Sequence, residues 1–206
     1  MHILIHPTYF PNVAHFVAMV TSQMVTLETA GTYQKQTYRN RTNIYGANGK
    51  LPLSIPIIHS QSERQKYRDI RIHSEEKWQQ RHWKSLESAY RTSPFFEFYE
   101  DDLRSLFTQP AEFLLEHNLN CLEAICSCLQ FELTYNTTVV YEKTITDMVD
   151  LRSLALCRKE SRFDFERYTQ VFDQKHGFIA NLSILDLLFH EGPNAINYLK
   201  NQFDRL

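Results

Sequence analysis

Met1-His2-Ile3-Leu4-Ile5-His6-Pro7-Thr8-Tyr9-Phe10-Pro11-Asn12-Val13-Ala14-His15-Phe16-Val17-Ala18-Met19-Val20 opens the chain and decides how the rest is read. Ile3-Leu4-Ile5 is a short apolar run of strand type, ended by His6-Pro7. Asn12 has the chemistry of a helix N-cap, and Phe16, Val17, Met19 and Val20 then recur at helical spacing. Val25-Thr26-Leu27 follows as a second strand, so the order strand, helix, strand predicts a βαβ unit. Ligands of open α/β sheets bind at the carboxyl ends of strands, and anions favour helix N-termini. His6, Tyr9, Asn12 and His15, on the turn between strand and helix, are therefore candidate site residues; the alternative is two prolines shaping a turn around packed histidines.

Further strand-type runs at Leu51–Ile58 and Asp69–Ile72 make residues 1–73 rich in sheet. Residues 74–206 are mostly helical. Ser74 with Glu75 and Glu76 starts a helix carrying Trp78, His82, Leu86 and Ala89 on one face, and Ser93-Pro94 ends it and caps the next, with Phe95, Phe96, Tyr99, Leu103, Leu106 and Phe107 as its apolar stripe. Pro110 opens a helix through Glu116, and Asn120 with Glu123 forms a capping box ahead of another. Thr137–Tyr141 is β-branched and returns as a strand, Asp147–Leu156 is a short helix, Ser183 and Asp186 cap a helix that Gly192 ends, and Pro193 starts the last one. The fold class expected is α/β, a βαβ-like N-terminal sheet with a helical C-terminal half, in a single domain over 1–206.

With 206 residues, fourteen Phe and eleven Tyr, the chain can bury roughly 70% of its unfolded surface. Its 22 Lys+Arg against 24 Asp+Glu leave a net charge of -2, so no global basic field holds nucleic acid. Cys121, Cys126, Cys128 and Cys157 contain no C-x-x-C pair and no zinc spacing, and they read as reduced, buried thiols; no metal ligand set and no cofactor are assigned. The start of the chain lacks signal-peptide character and no stretch approaches ~20 apolar residues. A cytoplasmic protein without a membrane span is the expectation.

Two further clusters carry chemistry. In Tyr33–Asn43, the cations Lys35, Arg39 and Arg41 lie among Tyr33, Tyr38 and Asn40, which suits local recognition of phosphate or carboxylate; the alternative is a solvated edge strand blunted by charge. On the helix after residue 74, His82 stands one turn from Trp78, near Lys84, and is an acid/base candidate or a hydrogen-bonded core histidine. The two histidines His6 and His15 also suggest a HIGH-motif nucleotidyltransferase, although Asn12 and Ala14 replace the first histidine and the glycine of H-x-G-H.

Taken together, His6–Pro11, Asn40-Arg41, Leu53–Pro56, Trp78 with His82 and Lys84, and the ending Asn181–Phe189 then Gly192-Pro193 resemble the WbqC-like protein family over nearly the whole chain. One departure is Leu27-Glu28-Thr29-Ala30, where relatives carry V-x-x-D-D; only Glu28 could replace that acid. The resemblance implies a cytoplasmic transferase of bacterial surface-polysaccharide (O-antigen-type) biosynthesis that moves glycine or another aminoacyl group to a sugar. From the clustering of polar residues at strand ends, His6 and His82 are acid/base candidates, Arg39 and Arg41 hold an anionic small-molecule or sugar-linked donor, Tyr9, Asn12 and Lys84 orient the acceptor, and His15, Lys35, Tyr38, Asn40 and Trp78 complete the binding set. A non-catalytic glycan- or protein-binding surface is the remaining alternative.

Overall fold

The computed structural model describes residues 1–58, 64–74, 77–158 and 163–206. Strand β1 (His2–Ile5) buries Ile3, Leu4 and Ile5, the helix α1 (Val13–Val20) follows, and β2 (Met24–Leu27) returns parallel to β1 with Ile5 opposite Leu27. The Asn12 side chain caps α1 by accepting from the His15 backbone N–H at 3.1 Å. Strands β3 (Arg41–Gly46) and β4 (Gly49–Ser54) form an antiparallel hairpin whose tight turn needs the left-handed φ of 97° at Gly49. Two short strands, β5 (Ile57–Ile58) and β6 (Arg71–Ile72), pair antiparallel. Helices α2 (Trp78–Tyr90), α3 (Phe96–Thr108) and α4 (Leu114–Cys128) pack in succession, α2 on α3 and α3 on α4.

The chain then re-enters its first sheet. Strand β7 (Tyr135–Thr137) pairs parallel with β2, and β8 (Val149–Asp150) pairs parallel with β1, giving an all-parallel sheet in the order β7-β2-β1-β8. Short helix α5 (Asp173–His176), α6 (Ile184–Glu191) and α7 (Ala195–Lys200) finish the fold, α6 and α7 against α1. One continuous core joins Ile3 and Val17 to Leu86, Leu122 and Leu187. The mixed α/β class and the βαβ start agree with the sequence.

Several boundaries differ, each for a local reason. Residues 110–128 hold one helix, not two, because Leu114, Leu122 and Ile125 form a single buried stripe; Asn120 and Glu123 lie on its exposed face. The strand expected at Thr137–Tyr141 is β7, which ends at Thr137: the Thr138 N–H bonds the last carbonyl of β2, at Leu27, leaving Val139 and Val140 in solvent. The helix expected over 147–156 is β8 plus a single 3-10 turn at Arg152–Ala155, since the Asp150 carboxylate takes the Arg152 N–H. Ser93 caps nothing; its hydroxyl donates back to the Tyr90 carbonyl at 2.6 Å. Glu75 and Glu76, expected to open α2, lie outside the described residues, and the helix runs from Trp78.

Candidate functional site

In chain order the sheet steps from β1 to β2 to β7, then jumps back across β1 to β8. The reversal lies between β1 and β8, the switch point at which parallel sheets open a crevice beyond their carboxyl ends. His6 follows β1, Glu28 follows β2, Thr138 follows β7, and Asp150 and Arg152 flank the end of β8. Arg39 reaches into the same place from the loop before β3. Its NH2 donates to His6 Nε2 at 2.6 Å, its NH1 donates to the Thr32 carbonyl at 3.0 Å, and its guanidinium lies 5.2 Å from the centre of the Tyr67 ring.

Charge is compensated on one side of this cluster and open on the other. Arg152 grips Asp150 through two bonds of 2.8 and 2.6 Å and donates to the Glu142 carbonyl at 2.7 Å. These bonds raise the Arg152 pKa and lower that of Asp150. Glu28 Oε1 accepts from the backbone of Ala30 and Gly31 and from Thr138, at 2.8 to 3.0 Å. Glu28 Oε2, 3.5 Å from Arg152, receives no hydrogen bond although it is buried. Arg39 is 3% exposed, and among the described residues no carboxylate lies within ion-pair distance of it or of Arg41; the Nε of each is buried without a partner. Tyr33 sits close enough to both guanidiniums for each to oppose the burial that lifts its pKa to about 12. A buried cation without an anion is costly, so this arrangement is poised to accept a negative group.

His6 is neutral here. Burial and the Arg39 charge hold it well below its ordinary value, and with Nδ1 bonded to the Glu28 carbonyl at 3.3 Å its Nε2 lone pair is committed to Arg39. It orients Arg39, and while that contact stands its Nε2 lone pair is not free to take a proton. His82 belongs to another group. Its Nδ1 meets the Tyr9 hydroxyl at 2.9 Å, it bonds the Ser54 backbone, and burial lowers its pKa to about 4. Trp78 and His117 pack around the same Tyr9 ring, and among the described residues the hydrogen bonds of His6 and His82 go to different partners, Arg39 and Tyr9.

The loop between β1 and α1 is fixed by its surroundings. Phe10 holds φ 38° in the left-handed region, a strained state for a bulky residue, while its carbonyl accepts from Thr42 at 3.0 Å and Ser183 at 3.3 Å. At the start of α1 the free N–H groups are already used: Val13 donates to the Leu182 carbonyl, Ala14 to Asn181 Oδ1, and His15 to Asn12. Three backbone N–H groups at the start of α1 are thus satisfied within the chain. Asn12 and His15 bond each other at 2.7 Å, and burial takes His15 to about 3.

Of the second cluster, Tyr38 and Asn40 tether the loop: Tyr38 exchanges backbone bonds with Tyr9 and Ala155, and Asn40 donates to the Ile55 carbonyl at 3.1 Å. Lys35 is exposed, and Lys84 lines a separate recess beside Gly46 and Ala47. The sequence reading missed Arg152, Tyr67 and Asn118. Asn118 donates to the Arg39 carbonyl at 2.6 Å and Tyr67 to the Pro7 carbonyl at 2.9 Å, so α4 holds the arginine loop against the first strand. The spacing of parallel strands is the signal that could have found Arg152, had β8 been recognised.

The sequence profile described as the WbqC-like protein family matches residues 6–162, which is most of the chain and starts at His6. The protein belongs to the WbqC-like family. Every residue of the switch-point site, from His6 to Arg152, falls inside that match. The chain is also 26% identical over 196 residues to "Uncharacterized protein Rv1507c" of Mycobacterium tuberculosis (strain ATCC 25618 / H37Rv), covering 82% of this chain and 84% of that protein. No solved structure matches this WbqC-like chain. Among the described residues no group of three His, Cys, Asp or Glu could hold a metal ion, and no helix is long and apolar enough to cross a membrane.

Proposed function

We propose that this WbqC-like protein is a transferase whose donor carries a phosphate or carboxylate bound by Arg39 and Arg41 at the switch point between β1 and β8. The observation that carries the reading is the buried Arg39 guanidinium, 3% exposed, beside neutral His6 with no carboxylate at ion-pair distance among the described residues. Binding of the anion turns Arg39 toward it and releases the His6 Nε2 lone pair to take a proton from an acceptor hydroxyl or amine. Arg152 and Glu28, 3.5 Å apart, lie at the ends of the neighbouring strands. The role we assign is decoration of a sugar in surface-polysaccharide (O-antigen-type) biosynthesis in the cytoplasm, with glycine or another aminoacyl group as cargo; the sequence resemblance supports this.

The test is thermal unfolding of the wild type and of Arg39→Met and Arg41→Ala with nucleotides, nucleotide-sugars, acyl-CoA and inorganic phosphate. A ligand at ~100 times its dissociation constant adds about 2.7 kcal/mol, roughly 5–10 °C for a chain of this size. One donor class should shift the wild type and neither variant, and His6→Gln should then bind that donor without turnover. Equal shifts in wild type and both variants would sink the anion site; binding without turnover in the wild type would leave a recognition module.

A further inference from the structure

A second cavity lies away from the switch point, between the end of α3 and the first half of α4, with a volume of about 610 Å³. That is the scale of a small-molecule site. Among the described residues neither His6 nor Arg39 lines it, nor does any lysine or arginine, while three carboxylates, Glu112, Glu116 and Glu123, do. Arg71 neutralises Glu112 at 3.1 Å, and Glu123 accepts from the Tyr135 hydroxyl at 3.2 Å. Glu116 has no hydrogen-bond or ion-pair partner among the described residues, and Glu116, Asn120 and Glu123 follow one another on the same face of α4.

An acidic helix face is satisfied by solvent alone, but His117 is not accounted for that way. It lines the cavity while only 5% exposed. Its Nε2 stands 3.6 Å from Cys121 Sγ, and its Nδ1 has no hydrogen-bond partner among the described residues. Unlike the sealed Nε2 atoms of His15 and His190, that nitrogen is not among the buried unpartnered atoms, so it is not closed off from solvent, and the residue it belongs to lines the cavity. The tautomer that donates Nε2–H to the sulfur leaves Nδ1 a lone pair. Burial takes His117 to about 4, so at neutral pH it adds no positive charge.

We propose that this groove binds a small primary amine, with the ammonium between Glu116 and Glu123 and donating to His117 Nδ1. The amides of Gln109, at the end of α3, and Asn120, on α4, also line the groove and suit hydroxyl groups on the ligand. The His117 ring also contacts Tyr9 at 5.8 Å and Trp78 at 5.3 Å, so the floor of the groove is the reverse of the aromatic cluster that supports the β1 to α1 loop. This inference is independent of the transferase reading.

Calorimetric titration with glucosamine, ethanolamine and putrescine, against N-acetylglucosamine as the uncharged analogue, tests it. At least one amine should bind saturably and at least tenfold more tightly than the uncharged analogue. Glu116→Gln and Glu123→Gln, both at exposed positions, should each weaken that amine at least fivefold at unchanged melting temperature. The imidazole resonances of His117 should move on titration, and Arg39→Met should leave amine binding intact. No saturable binding by any of the three amines, or equal affinity in the Glu116→Gln, Glu123→Gln double variant, overturns the proposal.

Discussion

Two buried polar clusters in this molecule carry similar chemistry and differ in one respect. Around Asp186, on α6, the chain supplies every partner: Tyr90 donates to one carboxylate oxygen at 2.8 Å, Tyr168 and Gln170 donate to the other at 2.6 and 2.8 Å, and no oxygen is orphaned. At the switch point the chain stops short, leaving Arg39 Nε, Arg41 Nε and Glu28 Oε2 buried without hydrogen bonds. The first cluster is complete without a ligand and holds the fold together, tying α6 to α2 and, through the Tyr90 hydroxyl, to the Tyr45 N–H of β3. The second is incomplete, and incompleteness is what binding requires.

Substitutions at the two clusters should therefore separate. Asp186→Ala strips acceptors from three buried donors and should cost about 3–5 kcal/mol in denaturant unfolding; a loss under 1 kcal/mol would break the contrast. Arg152→Met, on the compensated edge of the switch point, leaves Asp150 and Glu28 without their cation and should cost about 2 kcal/mol by the same measurement. Acidification acts on the histidines that burial keeps neutral. For His15, His82 and His117, held at about 3, 4 and 4, the unfolded chain binds more protons below its own value of 6.5, so stability is full above that pH and falls as pH drops toward 4. Each should remove about 2 kcal/mol by pH 5, visible as a falling melting temperature, and His82→Gln should flatten the slope. Arg39→Met should have the smallest effect on stability, within about 1 kcal/mol of neutral or stabilising, because it removes a cation that lacks a counter-charge.

How much of this was legible depended on range. The βαβ start was readable because Asn12, the apolar spacing of α1 and the two short strands are local signals. The Ser183 cap was readable for the same reason, its hydroxyl accepting from the Leu185 N–H at 3.4 Å. Asp186, taken as part of that cap, instead meets Tyr90 and Tyr168 from distant segments, which no local pattern reveals. Arg39 beside His6 combined two clusters each visible alone, whereas their 2.6 Å contact follows from the sheet. Arg152 was missed because a two-residue strand carries too little pattern to be told from a helix, and Asn118 because one polar residue on a mostly apolar helix face resembles any surface position.

The pairing of β1 with β8 has a consequence for how the molecule is made. Ile3 waits for Val149, and Arg152 follows only after that, so on a ribosome the first strand emerges long before the edge that completes its sheet. The βαβ unit can form early from near neighbours, but the crevice cannot close until β8, at Val149–Asp150, has followed. If the switch point holds an anion as proposed, a nascent chain halted before β8 should display helices and a half-sheet but bind none.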